Sequence, residues 1–266
     1  MQLLINPEGG IAGDMFAAAL INAGAEAKTV TLAMQKAAEK LGRASVRHLK
    51  TKEGCSRLQI EVEHHHGHLS SFKAMELLES LFEEQKIREP YRTFGQKMLA
   101  HLIKAEKEAH ETYDFDMEHN HHHHHGAHNH HGHHHHHHEP EAWLHEAQDI
   151  LIDVMGATAG LQELSAPVRA SLTAPVHYGG GSISFSHGNL KVPAPATEVM
   201  IRNNKIPVKK GPIETELFTP TGAALLSALQ ATEIKEQPSP SPKTEGCSRG
   251  TKELPIEPLK IYLFRE

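Results

Sequence analysis

Fifteen of the twenty residues from position 119 to position 138 are histidine. They are His119, His121, His122, His123, His124, His125, His128, His130, His131, His133, His134, His135, His136, His137 and His138. A second cluster, His64, His65, His66 and His68, precedes them. Imidazole is the usual side-chain ligand for nickel, copper and zinc. An ordinary pKa of about 6.5 leaves it mostly neutral at pH 7, and crowding among like charges favours the neutral form further. Purification tags are terminal and unbroken, whereas this tract is internal and punctuated by Asn120, Gly126, Ala127, Asn129 and Gly132. A solvated low-complexity linker with incidental metal affinity remains the alternative. A catalytic centre holds a few ligands and keeps one position open. Surplus histidines without fixed spacing offer interchangeable sites, which suits capture, storage or delivery. They do not select nickel, because copper binds such donors most tightly at equilibrium.

A second set of chemically able residues lies just beyond the tract. Ala142–Leu164 has helical spacing, which puts His145, Asp149 and Asp153 at i, i+4 and i+8, with Glu146 beside them. Histidine and carboxylates on one face suit a metal, but an exposed acidic helix has the same pattern. His187-Gly188 precedes the proline-patterned LKVPAPATEVM. At the N-terminus, Gln2–Asn6 is expected as a buried strand, PEGGIAG as a turn, and the stretch from Asp14 as a helix. Strand, Gly-rich turn and helix can cradle a phosphate on free amides, although a plain tight turn explains Gly10 and Gly13 equally well. Asp14 suits a helix start. Its carboxylate would repel phosphate unless a metal intervened. Thr219 and Pro220 open a later helix as cap and first residue, with Thr221 next.

These residues need a scaffold. The spacing predicts helices over Ala27–Leu41, Ser71–Gln85 and Tyr91–Glu111, and a strand over Ser56–Glu63. Val168–Pro175, Gly181–Ser186 and the terminal LKIYLF are further expected strands, and a helix begins near Ala196. His101 and His110 are expected as ordinary surface or packing residues. An α/β fold follows (α+β being the alternative), with a mixed sheet and helices. Residues 1–112 and 141–230 are expected to complete one domain around a disordered His-rich insertion at 113–140, which lacks the apolar residues of a core. Residues 231–266 are expected as a Pro-rich linker and terminal strand.

The 266 residues carry a formal charge of −6 with histidine neutral, so no basic field invites nucleic acid. No apolar run reaches the roughly 18 residues of a membrane span, and no leader pattern opens the chain. The expectation is a cytoplasmic protein with neither membrane nor nucleic acid as partner. Cys55 and Cys247 form no metal motif and are expected as reduced thiols. No HExxH or comparable spacing supports a zinc hydrolase.

Four stretches together resemble one family: GGIAGDM at Gly9–Met15, LHEAQDILIDVMG at Leu144–Gly156, HGNLKVPAPAT at His187–Thr197 and ELFTPTGAALL at Glu216–Leu226. The chain resembles the LarC family of nickel-pincer cofactor biosynthesis. The resemblance implies insertion of Ni(2+) into pyridinium-3,5-bisthiocarboxylic acid mononucleotide, using CTP, to give two sulfur–nickel bonds and one carbon–nickel bond. Family members commonly read VGAxDSIxDIVG after His-Glu, whereas Ala147–Gly156 is two residues shorter and has lost the first glycine of that pattern. Asp149 and Asp153 still match the two aspartates. Family members also commonly continue into a second domain that binds CTP. Here Gly250–Pro255 resembles the GTxxLP segment near that boundary. CTP and a divalent metal are therefore expected only on a separate C-terminal domain, which would be a partner, as would a recipient apo-racemase or related nickel-pincer enzyme.

Making a carbon–nickel bond costs a ring proton, so a base is needed. The metal must also leave the protein, so exchangeable imidazoles and carboxylates suit it better than a thiolate cage. His145, Glu146 and His187 are the candidates for base or transfer ligand. Asp149, Asp153 and Glu216, with the histidine clusters, are the candidate metal ligands or their supports. Gly10, Gly13, Asp14, Thr219 and Thr221 are the candidates for holding the cofactor precursor. A non-enzymatic nickel store or metallochaperone is the alternative function.

Overall fold

The computed structural model describes residues 1–63, 68–112, 143–185, 188–235 and 241–264. The expected disordered insertion at 113–140, His64, His65, His66 and His187 lie outside the described residues. β1 (Gln2–Asn6) leads through the Gly-rich turn into α1 (Gly13–Asn22) and α2 (Ala27–Glu39). β2 (Ala44–Lys50), β3 (Ser56–Val62), β4 (His68–Ser70), α3 (Ser71–Glu84) and α4 (Tyr91–Thr112) follow. Next come β5 (Trp143–His145), α5 (Ala147–Glu163), β6 (Ala170–Leu172), β7 (Val176–His177), β8 (Ser182–Phe185) and β9 (Gly188–Lys191). The chain continues through α6 (Pro195–Asn204), β10 (Val208–Lys209), α7 (Pro220–Ala228), β11 (Thr232–Glu233), β12 (Thr244–Ser248) and β13 (Leu259–Phe264).

One mixed sheet runs β11-β6-β1-β13-β12-β3-β2, so the fold is α/β as the sequence leads one to expect. β1 pairs parallel to β6 and antiparallel to β13. Strands from both sides of residues 113–140 thus share one sheet. Apolar β1 and β13 lie at its centre, with Leu3, Ile5, Leu259 and Ile261 fully buried. α1 and α2 pack against the sheet, and α5 packs on both of them, buried at every position from Ala147 to Leu161 except Asp149. Small residues let α1 and α5 approach: Gly156 faces Ala17, and Gly160 faces Leu20. No helix among the described residues is long and apolar enough to cross a membrane.

Two expectations need correction. The helix read from Ala142 starts at Ala147; Trp143–His145 is instead a strand, antiparallel to β4 with His68 opposite His145. Glu146 separates the two elements at φ 55°, in the left-handed region. His145 is therefore not on one helical face with Asp149 and Asp153. The second correction concerns the cysteines, because Cys55 and Cys247 form a disulfide with Cα atoms 4.9 Å apart. β3 and β12 are sheet neighbours, with Ser56 opposite Ser248, and a separation of 192 residues leaves no trace of this in the sequence. Closing so long a loop restricts the unfolded chain, so reduction or Cys247→Ser should cost about 2–4 kcal/mol. Denaturant unfolding with and without dithiothreitol reads this, and coincident curves would refute it.

Candidate functional site

The starts of α1 and α7 meet the N-terminal half of α5 at the site. The turn after β1 places Gly10 at φ +79°, where a side chain would collide with the Leu217 carbonyl oxygen 2.2 Å away. That close approach lets the Ile11 N–H donate to Leu217 O at 2.7 Å, tying the start of α1 to the start of α7. Thr219 caps α7 by accepting from the Gly222 N–H at 3.2 Å, as its sequence position predicts. Thr221 Oγ1 accepts from the Gly13 N–H at 3.2 Å and donates to Asp153 Oδ2 at 2.6 Å. Asp153 also accepts from the Asp14 backbone N–H. Asp14 Oδ1 takes the Met15 N–H at 2.7 Å. The first amides of α1 are thus engaged by the protein's own hydroxyl and carboxylates.

Asp14, Asp149 and Asp153 line one cleft of about 340 Å³, with Ile60, Val62 and Thr251. Burial raises Asp14 to about 6, opposed by the Met15 amide and reinforced by Asp149. Burial also lifts Asp153 well above the carboxylate range, with Asp14 adding to it and the Thr221 hydroxyl opposing it. Both carboxyls hold protons more tightly in the fold than in the unfolded chain. Their contribution to stability is therefore present below about pH 4 and lost as pH rises through the folded values, about 6 for Asp14. Metal-free protein should lose stability across that window, and Asp153→Asn should flatten the loss. Denaturant midpoints from pH 4 to 7 test this; equal slopes for both proteins would refute it.

Asp14 and Thr251 also border a second cavity of about 200 Å³, which Glu216, Thr219 and Lys252 help to line. Burial pushes Glu216 up to about 7, with Lys252 pulling it down and Glu146 pushing it up. Burial and Glu146 likewise raise Glu106, on α4, to about 7. Glu146 thus lies within electrostatic reach of two carboxyls that titrate near neutrality. The sequence gives no hint of Glu106, which resembles any glutamate on an amphipathic helix. It also leaves unmarked His177, whose two ring nitrogens are buried without a hydrogen-bond partner among the described residues.

The candidates therefore form three groups. Asp14, Asp149 and Asp153 come together in the first cleft, held by Gly13 and Thr221. Glu216 and Thr219 border the adjoining cavity, close to Gly10 through Leu217. His145 stands opposite His68 on the β4–β5 ribbon, and His187 falls between β8 and β9, outside the described residues. Among the described residues no three His, Cys, Asp or Glu side chains are drawn closely enough together to hold a metal ion.

Asp14, Asp149 and Asp153 offer oxygen donors of the type that divalent cations take. The family model for nickel insertion proteins matches residues 3–130 and 125–265, and the chain belongs to that family. A provisionally named nickel insertion protein of Geobacter metallireducens is 30% identical over 269 residues, covering 96% of this chain and 58% of that protein. The pyridinium-3,5-bisthiocarboxylic acid mononucleotide nickel insertion proteins of Nocardioides sp. and Thermotoga sp. are 28% and 27% identical. Each match covers 98% of this chain, and 58% and 60% of those proteins respectively. The chain spans a little over half the length of these relatives. No solved structure matches it.

Proposed function

We propose that this chain binds Ni(2+) and inserts it into pyridinium-3,5-bisthiocarboxylic acid mononucleotide. The observation that carries the reading is the match of the family model for nickel insertion proteins to residues 3–130 and 125–265, with Asp14, Asp149 and Asp153 lining one cleft. Oxygen donors of this kind bind nickel exchangeably. Both cysteines are consumed by their disulfide, so no thiolate from this chain competes with the sulfurs of the substrate. An open carboxylate set, looser than a closed metal cage, fits an ion that must depart.

The reaction replaces a ring C–H bond by a carbon–nickel bond and releases one proton. His145, Glu146 and His187 are the proposed base or transfer ligands. Glu216 and Glu106, both near 7, match the affinity a base needs at neutral pH. The histidine clusters at 64–68 and 119–138 gather nickel for this centre. The chemistry is that of a CTP-dependent cyclometallase, a lyase, with CTP and its divalent metal on a separate domain. The product passes to an apo-racemase or related nickel-pincer enzyme in the cytoplasm. Residues 1–112 and 141–230 carry these roles in one domain, whose sheet is completed by β11, β12 and β13.

The test is an insertion assay with the thiolated pyridinium mononucleotide and Ni(2+), with and without CTP and a supplied CTP-binding domain. The expected result is a nickel-pincer product in the complete mixture. Nickel binding without product in every arm would reject insertion in favour of nickel storage or delivery.

A further inference from the structure

The second cavity carries more than the carboxylates account for. Its wall includes the consecutive residues Ser248 to Lys252, which follow β12. Only two lining side chains are basic, Arg249 and Lys252, and they differ sharply. Arg249 is 14% exposed and fully used: Nε and Nη2 bind Glu53 Oε2 at 3.1 and 2.8 Å. Its Nη1 donates to the carbonyls of Leu254 and Ile256. The loop is therefore wrapped around its own guanidinium. Arg57 adds a tie to Glu253 at 2.7 Å. Lys252, exposed at the tip of that loop, reaches only Thr215 Oγ1 at 3.4 Å and makes no ion pair with a described residue. A rigid loop thus presents an ammonium to a cavity, hydrogen-bonded only to Thr215 and sensed electrostatically by Glu216. That cavity shares Asp14 and Thr251 with the three-aspartate cleft.

We propose that Lys252, with the neighbouring Thr251 hydroxyl, binds the phosphate monoester of a pyridinium mononucleotide. Anchored there, the ligand extends past Thr251 and Asp14 toward the aspartate cleft. The ligand class rests on the nickel-insertion reading; the cationic anchor rests on the loop geometry alone. A lysine is a point-charge binder of phosphate, and a pinned backbone spares the ordering cost of closing on the ligand.

Calorimetric titration of the metal-free protein tests the anchor, with nicotinate mononucleotide and its phosphate-free riboside as probes. The wild type should bind the mononucleotide at least about tenfold more tightly than the riboside. Lys252→Gln should erase most of that preference, Lys252→Arg should keep it, and circular dichroism should match for all three. Equal binding of the two probes by the wild type overturns the proposal. So does a preference that survives Lys252→Gln. The nickel reading fails separately. If the preference follows Lys252 but the complete mixture forms no product, the anchor stands and nickel insertion falls. If Lys252→Gln forms product with unchanged KM for the mononucleotide, insertion stands and the anchor falls.

Discussion

Alanine at His145 or His187 abolishes nickel insertion at every nickel concentration, whereas deletion of residues 119–138 slows it only when nickel is scarce. That is the expected result, and it follows from what each group can do. Forming a carbon–nickel bond requires metal, ring carbon and base within near-attack distance, which demands groups on ordered elements. His145 ends a strand in register with β4 and is followed by Glu146 at a fixed left-handed φ. The tract has fifteen histidines without regular spacing, so any one can replace another and none is indispensable. On the proposed reading it raises the local supply of nickel, an effect expected below saturation and absent above it. Losing a transfer ligand or base typically costs about 10²–10⁴-fold in rate, far more than losing a reservoir when nickel is plentiful. Initial rates against nickel concentration for the three folded variants decide the matter. If saturating nickel rescues His145→Ala and His187→Ala but not the deletion, the roles are reversed.

What the sequence reveals and what it hides divide along physical lines. Ser70 caps α3 by accepting from Lys73 N, and Thr219 with Pro220 opens α7. Both are local signals carried by residues that touch within four positions. The periodicity of α2, α3 and α4 locates them within about two residues. His145 is misplaced because apolar spacing runs backward through Glu146 without a break; the break is imposed by pairing with β4, far away in the chain. β12 is hidden behind the prolines of PSPSP, and becomes a strand because β13 and β3 offer it partners on both sides. The disulfide and the burial of Glu106 likewise depend on long-range neighbours. In the site itself, residue types are legible and their grouping is not. Asp149 and Asp153 can be picked from the helix, but their partner Asp14 lies on another helix. Gly13, the residue that permits the meeting, looks from the sequence like part of a turn.

Gly13→Ala should be among the most damaging single-methyl changes in the molecule. Helix propensity alone points the other way, since alanine is favoured over glycine by up to about 1 kcal/mol in a helix. Packing decides the sign. A Cβ on Gly13 would stand 2.5 Å from Asp153 Cβ and 2.6 Å from Oδ2, inside van der Waals contact with the carboxyl that holds Thr221. Neither side yields easily, because Asp153 is only 7% exposed and α5 is packed along its length. Overpacking of this kind costs about 1–3 kcal/mol, so a net loss of stability is expected. Displacing Oδ2 also breaks the 2.6 Å bond to Thr221 and spreads the three-aspartate cleft. Nickel affinity should therefore fall, measured in the tract-deleted protein so that surplus histidines do not mask it. Asp153→Gly placed in the Gly13→Ala background removes the collision, because alanine at 153 would keep the Cβ that stands 2.5 Å away. The double variant should be more stable than the sum of the single changes predicts, by at least about 1 kcal/mol of coupling. That coupling separates collision from a general intolerance at either position. A Gly13→Ala protein as stable as its parent, with unchanged nickel affinity, would show that α1 and α5 are not held in the register on which this site depends.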